Sequence, residues 1–187
     1  MRQNKIHITA PFSSETVQKL RAGDQVLITG TILTARDAAH KRLIESLEKG
    51  ENLPLNLEQA VIYYTGPSPS RPGLPVGSAG PTTSGRMDKY TPTLIEKCKI
   101  SGMIGKGYRS EEVIESIKKF TVPYLVTLGG AGALIAKSIK KYTVLAYDDL
   151  GAEAIAAMEV EDFPAIVAID VLGNNFYEQG QAPYKEI

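Results

Sequence analysis

Thiols are almost missing from this chain: 187 residues carry one cysteine, Cys98, and two histidines, His7 and His40. A disulfide framework within one chain is excluded. So are a self-contained structural zinc site and a cysteine-ligated iron–sulfur cluster, which need several such ligands. No metal site is therefore expected on this chain, and any metal chemistry must take most of its ligands from another. An excess of one charge is missing too, since 21 basic side chains face 21 acidic ones with no long run of either sign. Nucleic-acid or membrane-surface binding thus has no electrostatic support. The opening Met1-Arg2-Gln3-Asn4-Lys5 lacks the apolar run of a signal peptide, and no stretch approaches a membrane span. The expected location is the cytoplasm. A content of 43% hydrophobic and 22% charged residues is that of an ordinary soluble domain.

The pattern along the chain alternates strand and helix. Ser13 or Ser14 can cap a short helix through about Leu20. Residues 24–34 alternate as a strand interrupted by Gly30, a sign of a bulge or a close backbone approach. Asp37 opens an amphipathic helix with Ala38, Ala39, Leu43, Ile44 and Leu47 on its apolar stripe, and Gly50 ends it. Residues 61–64 read as a strand. Residues 65–81 then form a long connection with four prolines and four glycines before Pro81, a length typical of functional or mobile loops. Pro92 suits the first helical position of a helix to about Lys99. Strand 103–104, helix 110–120, strand 124–128 and a helix from Gly132 to about Ile139 follow. Strands at 143–147, 154–160 and 165–169 complete the pattern, with Asp162-Phe163-Pro164 as a strand entry and Asp170 to Asn174 as a hairpin turn. Residues 181–187 read as a loose tail. The expectation is one α/β domain over 1–187 with a mixed sheet flanked by helices.

One segment, Gly80-Pro81-Thr82-Thr83-Ser84-Gly85-Arg86-Met87-Asp88, concentrates turn residues, hydroxyls and a guanidinium. Thr82 and Arg86 are four apart, so a helix starting at Thr82 would project both on one face. Backbone N–H groups, hydroxyls and the arginine fork could then hold an oxyanion; an N-capped surface helix with a solvated arginine is the plainer alternative. Arg36 and Lys106 also follow the ends of expected strands, where open α/β sheets bind ligands. Together with Arg86 they suit an anion with more than one carboxylate or phosphate. Arg36 could instead pair with Asp37 or a nearby glutamate, and Lys106 could be a solvated loop lysine.

Nucleotide-binding motifs fail here. Gly107 follows Lys106 where a P-loop needs Ser or Thr, and Ile135 stands where a dinucleotide fingerprint needs Gly or Ala. Gly129 to Gly132 instead suits tight strand-to-helix packing. His40, one turn beyond Arg36 and Asp37, either contacts a ligand or packs satisfied on its helix. Cys98 reads as a small buried hydrophobe, and Tyr63 and Tyr64 as core and rim.

Six segments occur in a specific order and spacing: Thr34-Ala35-Arg36-Asp37-Ala38-Ala39-His40, Tyr63-Tyr64-Thr65-Gly66-Pro67, Gly80 to Asp88, Gly105-Lys106-Gly107, Gly129 to Ala133, and Val160-Glu161-Asp162-Phe163-Pro164-Ala165. From about residue 5 to 180 the chain resembles the β subunit, or C-terminal domain, of class I iron–sulfur fumarate hydratases and the related L(+)-tartrate dehydratases. The resemblance implies a swivelling β/β/α domain acting in a hydro-lyase that interconverts fumarate and L-malate. It implies a cluster-bearing α subunit as partner, whose three cysteines hold a [4Fe–4S] cluster with one iron open. It also implies that Arg36, Arg86 and Lys106 grip the dicarboxylate and that the Thr82 hydroxyl is the base at C3 of malate. Asp37, His40 and Thr83 remain possible further contacts. The alternatives are an L(+)-tartrate dehydratase β subunit and a non-catalytic module that binds an anionic metabolite. A structural partner whose cations meet an acidic surface is a further one.

Overall fold

The computed structural model describes residues 5–70 and 72–182. Its centre is a mixed seven-stranded sheet in the order β1-β2-β3-β4-β5-β7-β6. Strands β1 (Ile6–Ala10), β2 (Gln25–Thr34), β3 (Val61–Tyr63), β4 (Gly102–Gly105) and β5 (Tyr124–Val126) run parallel to one another. Strand β7 (Ile155–Ile169) is antiparallel to β2, β5 and β6 (Ile139–Ala146). Because β7 pairs with both β5 and β2, the ladder closes on itself.

Alternation along the strands divides the core in two, since successive side chains point to opposite faces. Val26, Ile28, Ile32, Tyr63, Ile104, Leu125 and Phe163 pack together on one face. Ile62, Tyr64, Met103, Tyr124 and Ile169 face the other, where they meet the helices. Those helices are α2 (Asp37–Glu48), α3 (Thr91–Cys98) and α4 (Glu111–Phe120). Each buries one stripe, for example Val113, Ile114 and Ile117 of α4. Helix α1 (Ser14–Lys19) is capped by Ser13, whose hydroxyl accepts from the Thr16 N–H. Short helices α5 (Gly132–Ala136) and α6 (Phe176–Gln181) complete the chain.

Several expectations need correction. Residues 154–160 and 165–169 belong to one strand, β7, rather than two. Asp162 bends it with φ +52°, and the Asp162 N–H donates to the Thr29 hydroxyl. Pro164, which has no N–H to give, stands where β7 has neither β6 nor β5 beside it. The ladder between β2 and β7 slips between Ile28 and Gly30, as the glycine suggested. Helix α5 stops at Ala136, and β6 begins at Ile139 rather than at residue 143. The expected tail lies almost wholly at 183–187, outside the described residues, while Gln181 closes α6. Asp170 does form a turn: its carboxylate accepts from the N–H groups of Leu172 and Asn174.

Candidate functional site

The parallel strands β2 to β5 deliver four loops to one edge of the sheet, at their carboxyl ends. Arg36 and Asp37 follow β2, the Gly80–Asp88 segment returns to the end of β3, Lys106 follows β4, and Gly129 to Gly132 follow β5. The long 65–81 excursion is zipped at its base. Thr65 pairs with Pro81, the Thr65 hydroxyl donates to the Gly80 carbonyl, and Ser68 and Ser78 hold the loop's two arms together. Its returning arm carries Val76 and Ala79 into the core.

This anchoring threads residues 81–84 between the ends of β3 and β4. Thr82 N–H donates to the Tyr64 carbonyl at 2.8 Å, and Ser84 N–H to the Lys106 carbonyl at 2.9 Å. Ser84 is wholly buried, and its hydroxyl accepts from Lys106 N–H at 3.1 Å and from the Tyr124 hydroxyl at 2.9 Å. Of the three hydroxyls in the segment, Ser84 is therefore structural. The thread needs Gly105, where a Cβ would sit 2.0 Å from the Ser84 Oγ.

Only a 3-10 turn, Ser84–Met87, forms here, so Thr82 lies outside it rather than opening a helix. The two side chains meet all the same: Arg86 Nη2 donates to Thr82 Oγ1 at 2.5 Å. Arg86 also grips Asp37 twice, Nε to Oδ1 at 2.9 Å and Nη2 to Oδ2 at 3.1 Å. Asp37 Oδ2 accepts from Arg36 Nε at 3.2 Å, and Arg36 Nη2 lies 3.4 Å from Glu153. Thr82, Arg86, Asp37, Arg36 and Glu153 thus form one continuous network. Partial burial opposes ionisation of Asp37, but hydrogen bonds from Arg86, its own N–H and Arg36 outweigh it and hold the carboxyl below the usual aspartate range.

Lys106 is joined to this group through its backbone. Its aliphatic stem lies near Gly129, along a cleft lined by Val126, Leu128 and Tyr177. Among the described residues its ammonium group has no ion pair. Thr83 is exposed, and its backbone bridges to Lys106. His40 lies beneath the site rather than in it. It is fully buried, its Nδ1 meets the Arg36 carbonyl oxygen at 3.0 Å, and its Nε2 has no partner among the described residues. Burial, with Arg109 adding repulsion, pushes its pKa down to about 4 against the pull of the Arg36 carbonyl and Asp37.

Three contributors escaped the sequence. Glu153 bridges two places, pairing with Arg36 and accepting at 2.8 Å from the Ala38 N–H, an otherwise unpartnered donor of the first turn of α2. Gly66 makes room for Arg36, whose Nη1 would stand 3.1 Å from a Cβ there. Arg109 has a fully buried side chain, sits over the rings of Tyr64 and Tyr124, and pairs with Asp88 at 2.7 Å. Asp88, the acid closing the nine-residue segment, and Gly66, in the segment 63–67, lay within stretches the sequence singles out.

The donor set does not fit an iron–sulfur cluster. Among the described residues no group of three His, Cys, Asp or Glu side chains could hold a metal ion. Cys98 is buried at the end of α3, just before β4, and so lies at the far end of the sheet from the network.

Residues 1–180 match the profile of the family described as "Fumarase C-terminus". The chain is 40% identical over 182 residues to a class I, aerobic fumarate hydratase of Salmonella typhimurium, covering 95% of this chain and 31% of that protein. It is 44% identical over 178 residues to the class I, anaerobic fumarate hydratase of Escherichia coli, covering 94% of this chain and 32% of the relative. The chain therefore spans about a third of the length of these relatives. A putative L(+)-tartrate dehydratase subunit beta of Methanocaldococcus jannaschii is 40% identical over 173 residues, with 90% of this chain and 89% of the relative covered. No helix among the described residues is long and apolar enough to cross a membrane. Matched along nearly its whole length, the chain belongs to the fumarase C-terminal family.

Proposed function

We propose that this chain is the β subunit of a heteromeric iron–sulfur hydro-lyase, acts as a single domain in the cytoplasm, and binds the dicarboxylate in the reversible hydration of fumarate to L-malate. One observation carries the proposal: Arg36 and Arg86 join through Asp37, and Arg86 reaches Thr82, at the edge of the sheet from which Lys106 also emerges. The cluster's ligands would come from a partner subunit, because Cys98 is this chain's one thiol and lies at the far end of the sheet.

Removing a proton beside a carboxylate builds further negative charge on that carboxylate. Cations held in place before the reaction stabilise this charge more than they stabilise the ground state. Arg86 and Lys106 stand on neighbouring loops after β3 and β4, a placement suited to the two ends of a small diacid. Thr82 is the proton acceptor of the proposal. A free hydroxyl is a poor base at neutral pH, and the Arg86 N–H pointed at Thr82 Oγ1 favours its ionised form. A swivel of this domain over the partner would close the site.

L(+)-tartrate dehydration is the second reading. It is supported by the 40% identity to a putative L(+)-tartrate dehydratase subunit beta, matched over 173 residues. Anaerobic co-purification with the cluster-bearing subunit, followed by assays for fumarate from L-malate and oxaloacetate from L(+)-tartrate, tests both. Turnover of one acid is expected, and a stable heteromer inactive on both would refute the proposal.

A further inference from the structure

We propose that Asp37 is a positioning residue for this site: its carboxylate sets the separation and tilt of Arg36 and Arg86 and holds Arg86 on the Thr82 hydroxyl. The proposal rests on the dicarboxylate-binding reading above but is tested separately from it.

Each guanidinium has two edges that can meet a carboxylate. Asp37 takes the Nε–Nη2 edge of Arg86 with two nearly parallel bonds of 2.9 and 3.1 Å, which fixes the plane of the group. The Nη1 corner of Arg86 makes no hydrogen bond among the described residues and remains for a ligand. Arg36 is treated alike: its Nε meets Asp37, its Nη2 faces Glu153, and its Nη1 lies against Gly66. Both arginines are thus held from the side, with one corner of each left unused.

Without the shared acid, two like charges arriving from the ends of β2 and β3 would repel each other. Arg86, whose side chain is 46% exposed, would then sample many rotamers. Asp37 is itself fixed, as the first residue of α2, where the helix favours a negative charge. The same Nη2 that touches Asp37 donates to Thr82, so displacement of the acid releases the hydroxyl as well.

Two other roles for Asp37 make opposite forecasts. If it only stabilises the start of α2, its loss would lower the melting temperature and leave turnover per folded molecule unchanged. If it competes with the substrate carboxylate for Arg86, its loss would lower KM and raise kcat/KM.

The test compares Asp37→Asn, Asp37→Glu and the unaltered chain, each assembled with its partner, by melting temperature, steady-state kinetics and a structure of each variant. Asp37→Asn is expected to melt within about 3 °C of the parent and to lower kcat at least tenfold with KM changed less than threefold. Its Arg86 is expected to leave Thr82. Asp37→Glu, which keeps the charge on a longer arm, is expected to recover part of kcat. Asp149→Asn, which breaks an exposed pair with Arg42 on the same helix, is expected to leave kinetics unchanged. Arg86 still bonded to Thr82 in Asp37→Asn, or a raised kcat/KM, overturns the inference. An inactive parent heteromer in which Asp37→Asn nonetheless displaces Arg86 refutes the function and leaves the positioning role standing.

Discussion

Two layers of charge lie one above the other at this sheet edge, and they differ in every physical respect. The upper layer, Arg36, Asp37 and Arg86, is between 27% and 46% exposed and open on one side. The lower layer, Arg109 with Asp88, is 0% and 14% exposed. Arg109 spends its donors on Asp88, Thr91 and the Met103 sulfur. Asp88 spends its second oxygen on the Ser110 N–H, at the start of α4. Both layers draw on the same nine-residue segment, two positions apart, with Arg86 turned outward and Asp88 inward. The contrast shows that a charged motif can divide its labour, one side chain holding the loop and another remaining free for a ligand.

The comparison breaks most visibly at Arg109. Arg109→Ala strips the partner from a buried carboxylate and is expected to lower stability by about 3–5 kcal/mol, read by urea denaturation. A loss below 1 kcal/mol would mean that the lower layer is not a support. Arg86→Ala should do the reverse. Turnover is expected to fall by roughly 10²–10³, while stability changes by about 1 kcal/mol or less, as for other exposed ion pairs. Should Arg86→Ala unfold the chain instead, the two layers would not be separable.

His40 sharpens the same contrast through pH. Its folded value is about 4 against 6.5 for an ordinary histidine. Above pH 6.5 neither state carries the proton and stability does not depend on this residue. As pH falls from 6.5 toward 4 only the unfolded chain is protonated, so stability drops, by about 3 kcal/mol in all. His40→Asn is expected to flatten that part of a stability-against-pH curve. Asp37 acts in the same direction at lower pH, since its lowered pKa adds stability that is lost on acidification through and below the ordinary aspartate range.

Local signals made much of this legible in the sequence. Ser13 as a cap, Gly30 as an irregularity, Asp37 as a helix start and the acidic first turn of α4 are each determined by neighbours a few residues away. Arg36 and Arg86 were placed together because both follow strands that turned out to be adjacent and parallel. Pairing across long distances was not legible. Glu153 reaches Ala38 over 115 residues of sequence, and no local pattern foretells it. Arg109 carries no local signal, since its burial depends on two aromatic rings, Tyr64 just after β3 and Tyr124 in β5, closing over it. The bend at Asp162 and Pro164 looked like a break between two strands, because the β2 ladder that carries β7 through it is remote in sequence.

The central claim is that the Arg36, Arg86 and Lys106 side chains share one small diacid. A structure of the assembled heteromer with L-malate or L(+)-tartrate tests it most directly. The account predicts one carboxylate on the free corner of Arg86 and the other within hydrogen-bonding reach of the Lys106 ammonium, with Arg36 touching the same molecule. A diacid bound away from this edge, or one that leaves any of the three cations without contact, would contradict it.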